Sequence, residues 1–100
     1  MRGSLKYLRE GLRKKPGNSA LHNEIGNTFR KMGSREEAVK SFLRAVEIRP
    51  KFDEALNMLG ELMLEQGDRI DAREYFQRAL SANPRFEEAK ENLKKVDEKK

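Results

Sequence analysis

Residues 19–52 read SALHNEIGNTFRKMGSREEAVKSFLRAVEIRPKF, and residues 53–86 read DEALNMLGELMLEQGDRIDAREYFQRALSANPRF. Laid one over the other, ten of the 34 positions are identical: Asn23/Asn57, Gly26/Gly60, Gly33/Gly67, Arg35/Arg69, Ala38/Ala72, Phe42/Phe76, Arg44/Arg78, Ala45/Ala79, Pro50/Pro84 and Phe52/Phe86. Small residues, a large aromatic and a proline that recur in register at a fixed period mark stacked supersecondary units. Such units contact only their neighbours and present extended surfaces. The chain is therefore expected to bind partners.

Local chemistry predicts helices near 4–15, 19–32, 35–48, 53–66, 69–82 and 87–98. Gly33 and Gly67 stand where a first helix must end in a left-handed turn, which glycine tolerates. Ser34 with Glu37, and Asp68 with Asp71, have the spacing of an N-terminal cap. Pro50 and Pro84 stop the second helices, because proline cannot continue the hydrogen-bond ladder and restricts its predecessor. Gly26 and Gly60 lie in helix interiors, at a cost of about 1 kcal/mol each. Close approach of paired helices near Ala38 and Ala72 would account for them. Glu36/Lys40, Glu74/Arg78 and Glu91/Lys95 are spaced as surface i,i+4 pairs. Leu21, Ile25, Phe29, Val39, Phe42, Val46, Ile48, Leu56, Leu59, Leu62, Met63, Phe76, Leu80 and Phe86 supply the expected core.

The pattern Ile25-Gly26, Phe29, Ala38, Phe42, Ala45, Pro50, repeated as Leu59-Gly60, Met63, Ala72, Phe76, Ala79, Pro84, resembles the tetratricopeptide repeat (TPR) family. Pentatricopeptide repeats have a similar period, but the Ala/Phe/Ala/Pro spacing favours the TPR. His22 and Leu56 stand where the family usually has Trp, and Met63 replaces a Tyr. The resemblance implies an all-α fold, a right-handed superhelical array of antiparallel helix pairs with about six helices. Counting back 34 residues from Pro50 reaches Pro16. Leu8 then takes the Phe position, Ser4 the first Ala position and Gly11 the second. Counting forward, Ala89 and Leu93 take the Leu21 and Ile25 positions, while Lys94 replaces the glycine. The expected division is a half repeat over 1–18, repeats over 19–52 and 53–86, and a polar capping helix over 87–100.

Composition bounds the remaining classes. One hundred residues suggest one domain. Charged residues at 39% against hydrophobic ones at 36% would hint at disorder, but the apolar residues fall on helix faces. There is no cysteine, hence neither a disulfide framework nor thiolate chemistry. No apolar run approaches a membrane span, and no signal-peptide core is visible. The expectation is a cytoplasmic protein with no cofactor and no metal. Enzymatic activity is not expected either. His22 is the one histidine and lacks the companions that a metal or acid–base site requires. The glycines follow the repeat rather than a phosphate loop.

The resemblance also implies where partners bind. In TPR arrays the first helix of each repeat lines a concave groove. The corresponding residues here are Ala20, Asn23, Asn27, Arg30 and Lys31, then Glu54, Asn57, Glu61, Leu64 and Glu65, then Glu88, Glu91 and Lys95. Asn23 and Asn57 share a position, and amides of that kind can hold the backbone of an extended peptide. The glutamates predict a preference for basic residues toward the C-terminal half. Arrays that clamp the C-terminal carboxylate of heat-shock chaperones use Lys and Asn, then Asn, then Lys and Arg. Asn27 matches one of these, while Asn23, Met58, Glu88 and Asn92 replace the others, so that partner is not expected.

Charge provides a rival reading. Residues 1–51 hold 13 Lys/Arg against 5 Asp/Glu, net +8, whereas residues 52–100 hold 9 against 12, net −3. The basic half, with Arg9, Arg13, Lys14, Lys15, Arg44, Arg49 and Lys51, could bind RNA or an acidic partner. Finally, Leu5, Leu8 and Leu12 form an i, i+3, i+7 stripe beside Tyr7. Either the segment belongs to a longer array or that face pairs with a second copy, most simply as a two-fold dimer.

Overall fold

The computed structural model describes residues 2–98, without the side chains of residues 2 and 4. Ser4, matched above to the Ala38 position, therefore lies outside the described side chains. Six helices follow one another: α1 (Arg2–Lys14), α2 (Ser19–Lys31), α3 (Arg35–Ile48), α4 (Asp53–Glu65), α5 (Arg69–Ala82) and α6 (Glu87–Glu98). They pack as antiparallel pairs in a TPR-like, all-α fold. The chain falls into two compact units, Met1–Pro50 and Lys51–Lys100.

In the first unit α2 pairs with α3, and α1 packs on α2. Asn18 accepts a hydrogen bond from Leu21 N through Oδ1 (3.2 Å) and so caps α2, a role that the repeat pattern did not signal. α2 ends at Gly33, whose φ is 82°. There Ser34 N donates to Phe29 O (2.9 Å) and Gly33 N to Arg30 O (3.0 Å), the two bonds of a Schellman turn. Ser34 occupies the N-cap of α3 but makes no side-chain capping bond, so the expected Ser34/Glu37 capping box does not form. Leu8, Ile25, Ala38, Phe42, Ala45 and Val46 are buried. His22 is half-buried, and its Nε2 donates to Pro16 O at 3.1 Å.

The second unit repeats this chemistry. Gly67 (φ 87°) carries the same pair of bonds, Asp68 N to Met63 O at 2.9 Å and Gly67 N to Leu64 O at 3.0 Å. Here the cap does form, since Asp68 Oδ1 accepts from Asp71 N (3.2 Å). A hydrogen bond with Asp68 and that residue's like charge hold the Asp71 carboxyl above its ordinary range. Asn83, which precedes Pro84, is extended and donates through Nδ2 to Asp53 Oδ2 at 2.8 Å. α6 lies on α5 and α4 with Ala89, Asn92 and Val96 buried. Two arginines of α5 hold its C-terminal end. Arg69 donates to Val96 O, and Arg73 Nε donates to Asp97 Oδ1 at 3.0 Å. Arg78 lies over the Tyr75 ring, its guanidinium 5.6 Å from the centroid, so this cation sits against an aromatic face as well as one turn from Glu74.

The helix-interior glycines have a different partner from the one expected. A Cβ on Gly26 would meet the Phe42 ring at 2.7 Å, and one on Gly60 would meet the Phe76 ring at 2.4 Å. The close approach is thus that of a phenylalanine face to bare backbone, and both rings are fully buried. On helix propensity alone, Gly60→Ala should stabilise by about 1 kcal/mol. The ring reverses that sign. Chemical denaturation is expected to show a net loss of about 1–3 kcal/mol, reduced when Phe76→Leu is added. A Gly60→Ala protein as stable as the parent would mean that the ring yields freely.

Candidate functional site

Within the second unit, α4 and α6 enclose an open cleft of ≈ 500 Å³ lined by Glu61, Leu64, Glu65, Glu88, Glu91, Asn92 and Lys95. The lining follows from helical spacing. Residues 61, 64 and 65 share one face of α4, and residues 88, 91, 92 and 95 share one face of α6. Four carboxylates face one ammonium group across an apolar centre at Leu64. The cleft can therefore attract a cationic group and shelter its alkyl stem.

An amide network joins the two helices at this cleft. Asn92 Nδ2 donates to Asn57 Oδ1 and to Glu61 Oε2, both at 3.1 Å. Asn57 Nδ2 donates to the same Glu61 oxygen at 3.2 Å. Asn57 is 1% exposed and Asn92 7%. Asn57, expected on the groove surface, is thus engaged within the protein and ties α4 to α6. Asn92 entered the sequence reading only as a mismatch to an arginine. It lies 35 residues after Asn57, one residue off the repeat, so a strict 34-residue comparison separates the two.

The other expected groove residues are distributed as follows. Glu61, Leu64, Glu65, Glu88, Glu91 and Lys95 come together in the cleft. Glu54 is exposed near the start of α4, where its backbone N–H donates to Asp53 Oδ1, and it is not in that lining. Asn23, Asn27, Arg30 and Lys31 belong to α2 in the first unit. Asn23 is buried, and its Oδ1 has no hydrogen-bond partner among the described residues; Asn27 and Arg30 are half-buried and Lys31 is exposed. Asn23 and Asn57 thus share a repeat position without sharing a chemical environment.

On α1, Leu8 is buried at 4% exposure, so it is core and not part of an exposed stripe. Leu5 and Leu12 are half-buried, while Tyr7 is 75% exposed. Leu5, Lys6, Arg9, Glu10 and Arg13 line an open cleft of ≈ 720 Å³ on this helix. Arg9 also lies over the Phe29 ring of α2, 5.8 Å from its centroid.

The family model described as regulator of microtubule dynamics protein 1-3 matches residues 6–99. The chain belongs to that family. The matched region is thus a TPR-like helical repeat domain, and solved structures agree on the fold. The chain superposes on the first TPR of Spaghetti (RPAP3), solved with the HSP90 peptide SRMEEVD, with a TM-score of 0.88 at 18% identity over 94% of its own length and 75% of the other. The Sgt2 TPR domain from Aspergillus fumigatus gives a TM-score of 0.87 at 20% identity, with coverages of 95% and 64%. MamA gives 0.85 at 22% identity, with coverages of 94% and 55%. A search of curated protein sequences gives no match. TPR domains generally mediate protein–protein interaction. Among the described residues, no helix of this family member is long and apolar enough to cross a membrane.

The amide network generates a test that separates the two equivalent asparagines. Asn57→Ala is expected to lower stability by about 1–3 kcal/mol, because Asn92 loses an acceptor in a buried place. Asn23→Ala should lower it clearly less, since the Asn23 Oδ1 has no hydrogen bond among the described residues to lose. Equilibrium denaturation of the two variants measures the difference, and equal losses would contradict a structural role peculiar to Asn57.

Proposed function

We propose that the chain is a non-catalytic scaffold that binds an extended segment of a partner protein, carrying Lys or Arg, in the cleft between α4 and α6. The observation that carries the reading is the convergence of Glu61, Glu65, Glu88 and Glu91 around Leu64. Complementary charge of this kind steers encounter and fixes register more than it adds raw affinity. The buried Asn57–Asn92 bond supports the reading, because it holds the two cleft-forming helices at a set separation. The family name supports a partner within the machinery of microtubule dynamics. The peptide held by the Spaghetti repeat is acidic toward its C-terminal end. Such a tail would meet like charge in this cleft, so a heat-shock chaperone tail does not fit it.

A second reading is favoured by the exposed cations Lys6, Arg9, Arg13, Lys14 and Lys15 along and just after α1. They suit an acidic protein surface or RNA. The two readings separate cleanly in titration calorimetry. A basic extended peptide is expected to bind about tenfold more tightly than its glutamate-substituted counterpart, and Glu65→Lys/Glu91→Lys should remove about tenfold of that affinity. An acidic peptide that binds better than the basic one would overturn the first reading. RNA affinity that falls steeply with salt would favour the second.

A further inference from the structure

The α4–α6 cleft calls for a basic, partly apolar segment, and the chain itself carries one. Helix α1 has a single acidic residue, Glu10, among Lys6, Arg9, Arg13 and Lys14. Leu5, Arg9 and Arg13 follow one another at helical spacing, with Lys6 beside them, around the open cleft on α1. Lys6, Arg9 and Arg13 are exposed, and half-buried Leu5 supplies an apolar centre. The acidic cleft presents the inverse arrangement, glutamates around Leu64.

We infer that a second copy of this chain is a partner of the α4–α6 cleft, with the basic α1 face of one copy docking on the acidic cleft of another. The inference rests on the reading of that cleft as a receptor for basic segments, and it names the segment. Charge decides the mode of association. A two-fold pairing of α1 on α1 would set Lys6, Arg9 and Arg13 against their own copies, with Glu10 alone to offset them. The buried Leu8 also removes the centre of the leucine stripe that such a dimer would use. Pairing α1 with the acidic cleft instead joins opposite charges and leaves each copy one free surface of either kind. A contact between two different patches is heterologous, and unless it closes into a ring it continues beyond a dimer.

Sedimentation equilibrium of the 100-residue protein from micromolar to millimolar concentration tests this. The average mass is expected to rise past that of a dimer at low salt and to fall back at high salt. Glu88→Lys/Glu91→Lys and Lys6→Glu/Arg13→Glu should each weaken self-association about tenfold or more. An equimolar mixture of the two variants should recover association with the copies alternating, because the reversed α1 of one fits the reversed cleft of the other and the unchanged α1 and cleft still fit each other. Circular dichroism melts of both variants confirm that they fold, and the salt dependence of the parent protein stands if either does not. A protein monomeric throughout would overturn the inference, as would a dimer indifferent to Glu88→Lys/Glu91→Lys. If the basic peptide still binds the cleft in those cases, the cleft reading survives and the second copy alone is excluded as its occupant.

Discussion

A phenylalanine ring laid against a glycine backbone is the contact from which the paired helices are organised. Phe42 covers Gly26 in the first unit, and Phe76 covers Gly60 in the second. A side chain on either glycine would have to move the ring, so the close approach of each helix pair depends on the absence of a Cβ at that position. The turn that brings the pairs back on themselves is equally constrained. Gly33 and Gly67 both adopt positive φ and both carry the paired carbonyl bonds of a Schellman turn. Interior glycines are otherwise unfavourable in helices, which is why their recurrence was informative.

Where α4 lies in its pair also determines what its free face can do. With Leu59 and Leu62 buried, helical spacing turns Glu61, Leu64 and Glu65 toward the cleft. α6 is fixed opposite by contacts of three kinds. Its buried apolar residues are Ala89 and Val96, its C-terminal end is held by Arg69 and Arg73, and its middle is held by Asn92. A cleft wall supported at several points presents its charges in a defined pattern, and preorganisation lowers what binding must expend in ordering the site.

The helices, their ends and most of the core were legible in the sequence, because they depend on local spacing and on residues with few conformational options. Gly67, Pro50 and Pro84 allowed one reading each. The acidic cleft was legible in outline through the TPR resemblance, which placed Glu61, Leu64, Glu65, Glu88, Glu91 and Lys95 on one surface. What was not legible depends on which atoms finally meet. Asn23 and Asn57 are identical by position, yet one amide oxygen has no partner among the described residues and the other accepts from Asn92. Ser34 and Asp68 occupy equivalent caps, yet only the aspartate forms its bond. Leu8 shares a helical stripe with Leu5 and Leu12, yet it turns into the core while they remain half-buried. A one-residue offset hid Asn92 from any comparison at the repeat period.

The claim that the second unit reads basic segments through its glutamate-lined cleft is tested most directly by amide chemical-shift mapping. A lysine- and arginine-containing peptide would be added to isotope-labelled protein. The account predicts that the shifts concentrate on residues 61–65 of α4 and 88–95 of α6. Shifts confined to α1, or spread over both units without a maximum at those two helices, would contradict it.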